Sequence, residues 1–250
     1  HCICGEQAGI HSDCKDVEWT AWDGTSAITY DSNKTAYVYL SANAERDSAL
    51  TVASGYTLYL CLNGNTLSPA SGFTGRAITV NSGATFVLTN CGTTGAISGF
   101  QTANSGAGVY NSGTFTMYGG AISNNKSARY AGGVHNYGTF NMFGGSITGN
   151  TATWSGGGVE TNGTFNMFSG SITGNTAGSD GGAIFCDSMN YLTMSDVEIR
   201  NNTAGSNGGG LYCQKGTSSS CDPDISGKIT IIDNQLTNGT KSNAFLGENK

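Results

Sequence analysis

Charge, long apolar runs and helical periodicity are all scarce in this chain, and each shortage removes a class of protein. Only 11% of residues are charged, with 11 Lys and Arg against 17 Asp and Glu, for a net charge of −6. The basic residues are scattered, so there is no cationic footprint for nucleic acid or for an anionic lipid surface. No stretch approaches the roughly 18 consecutive apolar residues that a membrane-spanning helix needs. The first residues, HCICGEQAGIH, lack the charged start and apolar run of a signal peptide, and the chain does not begin with Met. It is therefore expected to be a mature or excised piece of a longer protein. No window carries a helical apolar stripe, which excludes helix from the repeat region.

What the chain has in quantity is Gly (39 residues), Ser, Thr and Asn, together with eight Cys. A polar composition with so little charge would suit disorder, but disordered chains lack regular apolar columns. Here the columns are plain. GTFTMYGGAISNN (113–125), GTFNMFGGSITGN (138–150) and GTFNMFSGSITGN (163–175) nearly superimpose at a period of 25 residues, and YLTMSDVEIRNN (191–202) is a weaker copy. Within each copy apolar and polar residues alternate, the two-residue period of a strand with one buried face. Aligned copies give a Met column (117, 142, 167, 194, extended by Leu60, Leu88 and Ile231), a Phe column (115, 140, 165, then Leu192), an Ile column (122, 147, 172, 199) and a Val column (109, 134, 159, then Ile184 and Leu211). One unit cannot bury these side chains alone; stacking coils at strand spacing buries them together. The expected fold is all-β, a right-handed parallel β-helix of about seven coils. Propeller blades need roughly 40 or more residues each, so the period excludes them.

Asn125, Asn150, Asn175 and Asn202 recur at one corner, where stacked amides hydrogen-bond along the axis and Asn tolerates left-handed backbone. Paired glycines follow each Asn and supply tight turning. The units SNNKSARYAGGV, TGNTATWSGGGV, TGNTAGSDGGAI and RNNTAGSNGGGL resemble the polymorphic outer-membrane protein repeat, which pairs an FxxN motif with GGA(I/L/V). Ile stands here for the aromatic residue, and only Gly181-Gly182-Ala183-Ile184 matches the second motif fully. The resemblance covers roughly residues 75–235 and implies a secreted β-helical passenger or adhesin displayed at a bacterial cell surface, as in large surface proteins of gut Firmicutes. The motif is structural and implies no activity.

Residues 1–50 depart from the repeat and are assigned to a Cys/His-containing segment and an N-terminal cap, with 51–250 as the helix proper. Cys2, Cys4, His11 and Cys14 are candidate zinc ligands within a short segment; disulfide pairing is the competing reading. Cys61, Cys91, Cys186, Cys213 and Cys221 are disulfide candidates. Cys61 and Cys91 sit on adjacent coils, and Cys186 and Cys213 share a column. Eight Cys in such a chain indicate an oxidising compartment and an extracellular protein, with reduced or metal-bound Cys in a cytosolic protein as the alternative.

The column Tyr110, His135, Glu160, Phe185 and Tyr212 adjoins a buried one and is expected to face outward. His135 and Glu160 form a candidate acid/base pair for a carbohydrate-active enzyme, weighed against an ordinary solvated contact. The loops between Asn and Gly pair vary in sequence, and variable loops on a rigid scaffold are the usual place for recognition. Arg129 and Tyr130 on one coil lie beside Trp154 on the next, anchors of the kind interfaces use. Tyr118, Phe143 and Phe168 are expected to pack rather than protrude. The favoured function is an adhesin-type module using Arg129, Tyr130, Trp154, His135 and Glu160 to bind a host glycoprotein (immunoglobulin included) or a glycan. The alternatives are an enzyme fragment, a passive stalk and, last, an ice-binding face.

Overall fold

The alternating pattern forms strands, and the strands stack. A computed structural model describes residues 17–187, 191–214 and 223–246, and its secondary structure consists of strands joined by turns, with no helix among the described residues. The chain winds as a parallel β-solenoid of about seven turns of about 25 residues. One coil shows the plan: strands Thr114–Met117 and Ala121–Ser123, then Lys126–Ser127, then Val134–Asn136. The first two join a 15-stranded sheet, the third a six-stranded sheet and the fourth an eight-stranded sheet. Leu192–Arg200 is one continuous strand across two positions that other coils separate by a turn.

Register places like on like. Phe86, Phe115, Phe140, Phe165 and Leu192 pair in succession, as do Leu88, Met117, Met142, Met167 and Met194. Phe115, Phe140 and Phe165 stack nearly parallel at 4.6 and 4.7 Å, fully buried. That spacing is the strand separation itself, so the ring stack and the backbone ladder have one repeat. Ile231 does not extend the Met column. The insertion before it and an irregularity at Ser195/Val197 shift the last long strand, so Ile225 pairs with Met194 and Ile231 with Ile199.

The corner asparagines are fully buried and bonded lengthwise. Asn150 Nδ2 donates to Asn175 Oδ1 (3.0 Å) and Asn175 Nδ2 to Asn202 Oδ1 (3.0 Å), and the ladder runs on through Asn234 to Asn243. The left-handed residue is the one before each ladder Asn: Asn124, Gly149, Gly174, Asn201 and Asp233 all have positive φ. These are the types that tolerate it, so the recurring Asn itself serves the hydrogen bonds and not the turn. A second ladder escapes a reading of apolar columns alone: Asn111 Nδ2 donates to Asn136 Oδ1 (2.7 Å), and Asn136 Nδ2 to Thr161 Oγ1 (3.0 Å). In the glycine pairs the members differ in purpose. Gly156 has φ +69°, while a Cβ on Gly158 would sit 2.7 Å from the Ala183 carbonyl oxygen.

At the N-terminal end Thr35–Leu40 already pairs in parallel with Thr20–Trp22 on one side and Thr57–Cys61 on the other. Trp22 is buried there under the Arg46 guanidinium, which donates to the Gly24 carbonyl (2.6 Å).

Candidate functional site

The eight-stranded sheet builds the site. Its strands are three residues long, with ends inward and the middle outward, so one outward column runs along the rod: Thr51, Thr79, Tyr110, His135, Glu160, Phe185, Tyr212 and Phe245. Phe185, Tyr212 and Phe245 stack at 5.3 Å. Threonine, aromatic and charged residues follow one another here, whereas the inward columns are nearly uniform.

The solvated contact expected of His135 and Glu160 is corrected. Both are only 3% exposed. Tyr137 stacks on the His135 ring at 4.7 Å, Tyr110 tilts against it at 5.4 Å, and Tyr130 meets it edge-on. His135 Nε2 lies 2.8 Å from Glu160 Oε2, a close contact in which the atoms do not meet in hydrogen-bonding geometry; His135 Nδ1 has no partner. Asn162 Nδ2 donates to the other carboxylate oxygen of Glu160. Burial, followed by the Glu160 charge, pushes the Tyr137 phenol up from its ordinary value.

Around this floor stand the loop residues. Tyr130 and Trp154 meet edge-to-face at 5.0 Å, and the Arg129 guanidinium lies 5.6 Å from the Trp154 ring, so the three residues expected to cluster do so. Cation–π contacts of this kind hold a guanidinium in place while leaving N–H groups for a ligand. Trp154 is 43% and Tyr137 51% exposed. Arg76 adds a second guanidinium, 4.1 Å from the Tyr110 ring, with its Nε donating to the Ser105 carbonyl; burial lowers its pKa. Sequence reading missed Arg76 and Tyr137. Arg76 stands where later coils have Gly132 and Gly157, so it broke a column in a coil too irregular to align by eye. Tyr137 shares its column with Asn162 and Asp187 and had no apolar repeat to mark it.

Tyr118, Phe143 and Phe168 stack at 5.2 and 4.9 Å, but Phe143 and Phe168 are exposed, so the expectation that this column packs inward is corrected too. Cys186 and Cys213 are register partners facing the core. The zinc candidates Cys2, Cys4, His11 and Cys14, and the disulfide candidate Cys221, lie outside the described residues. Among the described residues no group of three His, Cys, Asp or Glu side chains could hold a metal ion.

Comparison with known families bears on the coils just beyond this site. Residues 169–187 and 196–214 match the family model described as the Chlamydia polymorphic membrane protein repeat. These two coils carry that repeat. The matched segments hold Ile172, Asn175 and Gly181–Ile184, then Ile199, Asn202 and Gly208–Leu211, which are the core, ladder and turning positions described above. The polymorphic membrane protein repeat is typical of surface proteins. Arg129, Tyr130, His135, Trp154 and Glu160 all precede the matched segments. Searches of curated proteins and of solved structures found no match. No helix among the described residues is long and apolar enough to cross a membrane.

Proposed function

We propose that the chain is an extracellular binding module of a bacterial surface protein, and that the outer face of the eight-stranded sheet recognises a host glycan or glycoprotein. One observation carries this reading: Trp154, about half exposed, stands against the Arg129 guanidinium and Tyr130, while Tyr137, also about half exposed, stacks on His135 of the same face, all on stacked coils that leave them little freedom to lose. Half-exposed aromatic rings next to Arg are the usual anchors of a recognition surface, and a rigid scaffold lowers the ordering cost of binding. Immunoglobulins, being glycoproteins, fall within the ligand class. His135 and Glu160 form the floor under these rings and position Tyr137.

The test is capture of glycoproteins and polysaccharides from mucosal secretions on the immobilised chain, followed by the same capture with Arg129→Ala/Trp154→Ala. The double variant should lose at least tenfold in affinity with an unchanged circular dichroism spectrum. Full retention by a folded double variant would move the site off this face.

A second reading, acid/base chemistry by His135 and Glu160, draws on their 2.8 Å contact. It requires the tyrosine cover to open, and shortening of polysaccharide by the wild-type chain but not by Glu160→Gln would establish it.

A further inference from the structure

From the geometry at the second and third coils we infer that Cys61 and Cys91 form a disulfide that clamps these coils together. Cys61 ends the strand Thr57–Cys61, and its register partner is Thr89, two residues before Cys91. The two Sγ atoms lie 3.1 Å apart, nearer than non-bonded sulfurs ordinarily approach. The surrounding turns already dock. Gly64 N donates to Asn90 Oδ1 (2.8 Å), Thr94 Oγ1 donates to the Gly64 carbonyl (3.0 Å), and a Cβ on Gly92 would lie 2.6 Å from Gly64 Cα. The coils are thus already in contact where the bond would form.

The position explains why a covalent tie belongs here. Two lengthwise devices of the later coils, the corner asparagine ladder and the stack of Tyr118, Phe143 and Phe168, do not reach these coils. The ladder stops at Asn125, because Phe100 takes the corner in the coil before and offers only its backbone N–H to Asn125 Oδ1. The ring stack stops at Tyr118, because the same position is Thr89 and then Cys61 in earlier coils. Solenoid stability is a sum of neighbour contacts, so coils lacking both devices are where fraying from the N-terminal end would begin.

The chemistry is thiol–disulfide exchange with a low-molecular-weight disulfide such as oxidised glutathione. Cys91 is exposed and reacts first; its thiolate attacks the oxidant, forming a mixed disulfide and releasing one glutathione thiol. Cys61, buried and with its thiol pKa pushed up by the contact with Cys91 and by burial, then gives up its proton and attacks Cys91 Sγ, releasing the second thiol. Two protein thiols are oxidised and one glutathione disulfide is reduced.

The test uses the full chain. It is incubated with oxidised glutathione, alkylated, cleaved with trypsin and read by mass spectrometry. Cleavage at Arg46, Arg76 and Lys126 places Cys61 and Cys91 in separate peptides with one cysteine each. The expected product is those two peptides joined, lighter by two hydrogens than their sum and separated by reductant. Thermal unfolding should shift down with reductant in the wild type and shift less in Cys91→Ser, whose altered side chain is exposed and leaves the fold intact. Recovery of both peptides alkylated and unjoined, or Cys61 joined to any other cysteine, would overturn the inference.

Discussion

Replacing Asn175 by Ala tests whether the corner ladder is a main support of the fold. Asn175 Nδ2 donates to the Ile147 carbonyl (2.9 Å), the Thr173 carbonyl (3.2 Å) and Asn202 Oδ1 (3.0 Å), while its Oδ1 accepts from Asn150 N (2.9 Å) and Asn150 Nδ2 (3.0 Å). The residue is fully buried, so water cannot replace what is lost. At about 1 kcal/mol for each well-made bond, less for shared ones, plus 1–3 kcal/mol for leaving the Asn150 amide unsatisfied, the cost is about 3–5 kcal/mol. That is a large part of a typical domain's stability of about 5–15 kcal/mol. Asn243, exposed at the end of the ladder and accepting only from Asn234, should cost about 1 kcal/mol when changed to Ala. Because Asn150 and Asn175 share bonds, the double variant should cost less than the sum of the singles. Urea unfolding followed by fluorescence and circular dichroism reads all of these. A loss below about 1 kcal/mol at Asn175, or equal losses at Asn175 and Asn243, would refute the argument.

Other positions isolate other forces. Phe140→Ala removes a fully buried ring stacked on both sides and should cost about 3–5 kcal/mol in the same assay; a cost under half of that would mean the coils collapse into the gap. Gly158→Ala forces a Cβ to within 2.7 Å of the Ala183 oxygen and 3.0 Å of Ile172 Cγ2, so the variant should be less stable than wild type despite the lower entropy of its unfolded chain. Glu160→Gln removes the carboxylate packed against buried His135 and should cost about 1–3 kcal/mol; unchanged stability would show that this contact contributes nothing to the fold. Asp23 accepts from the Ser26 and Thr25 amides and the Ser26 hydroxyl, which hold its carboxyl well below the usual carboxylate range. Its folded pKa being depressed, its contribution is present above the ordinary Asp range and is lost only as pH falls through the folded pKa. A carboxyl NMR titration should find Asp23 still ionised after exposed carboxylates have protonated, and protonation alongside them would refute the bonding.

The periodic parts of this fold were legible because they obey one rule at one period. Phe115, Met117, Ile122 and Val134 recur every 25 residues, and their columns became the core. Ile231 was misplaced because a column read across an insertion assumes an unbroken register. The burial of His135 and Glu160 was not legible at all. Alternation tells which side of a strand a residue takes, and both do point away from the core. What covers His135 comes from Tyr137, Tyr110 and Tyr130, whose rings lie against it from a turn, the neighbouring strand and a loop. No pattern along a single strand records that.

This contrast also indicates where function can reside in a solenoid. A column that faces inward is held to apolar residues by its own stacking: Phe115 lies on Phe140 at 4.6 Å, and where Phe is replaced in that column it gives way to Leu. An outward column has no such restraint, so departures there reflect local demands. The eight-stranded face has a different residue at nearly every coil from Thr79 to Glu160, and its departures coincide with the loop departures Arg129, Tyr130 and Trp154 and with Arg76 at a position later filled by glycine. The 15-stranded face instead presents Thr57, Thr85, Thr114, Thr139 and Thr164 in one register column. Irregularity in three adjoining columns of one face, set against a uniform threonine column on another, is what the proposed binding surface would require.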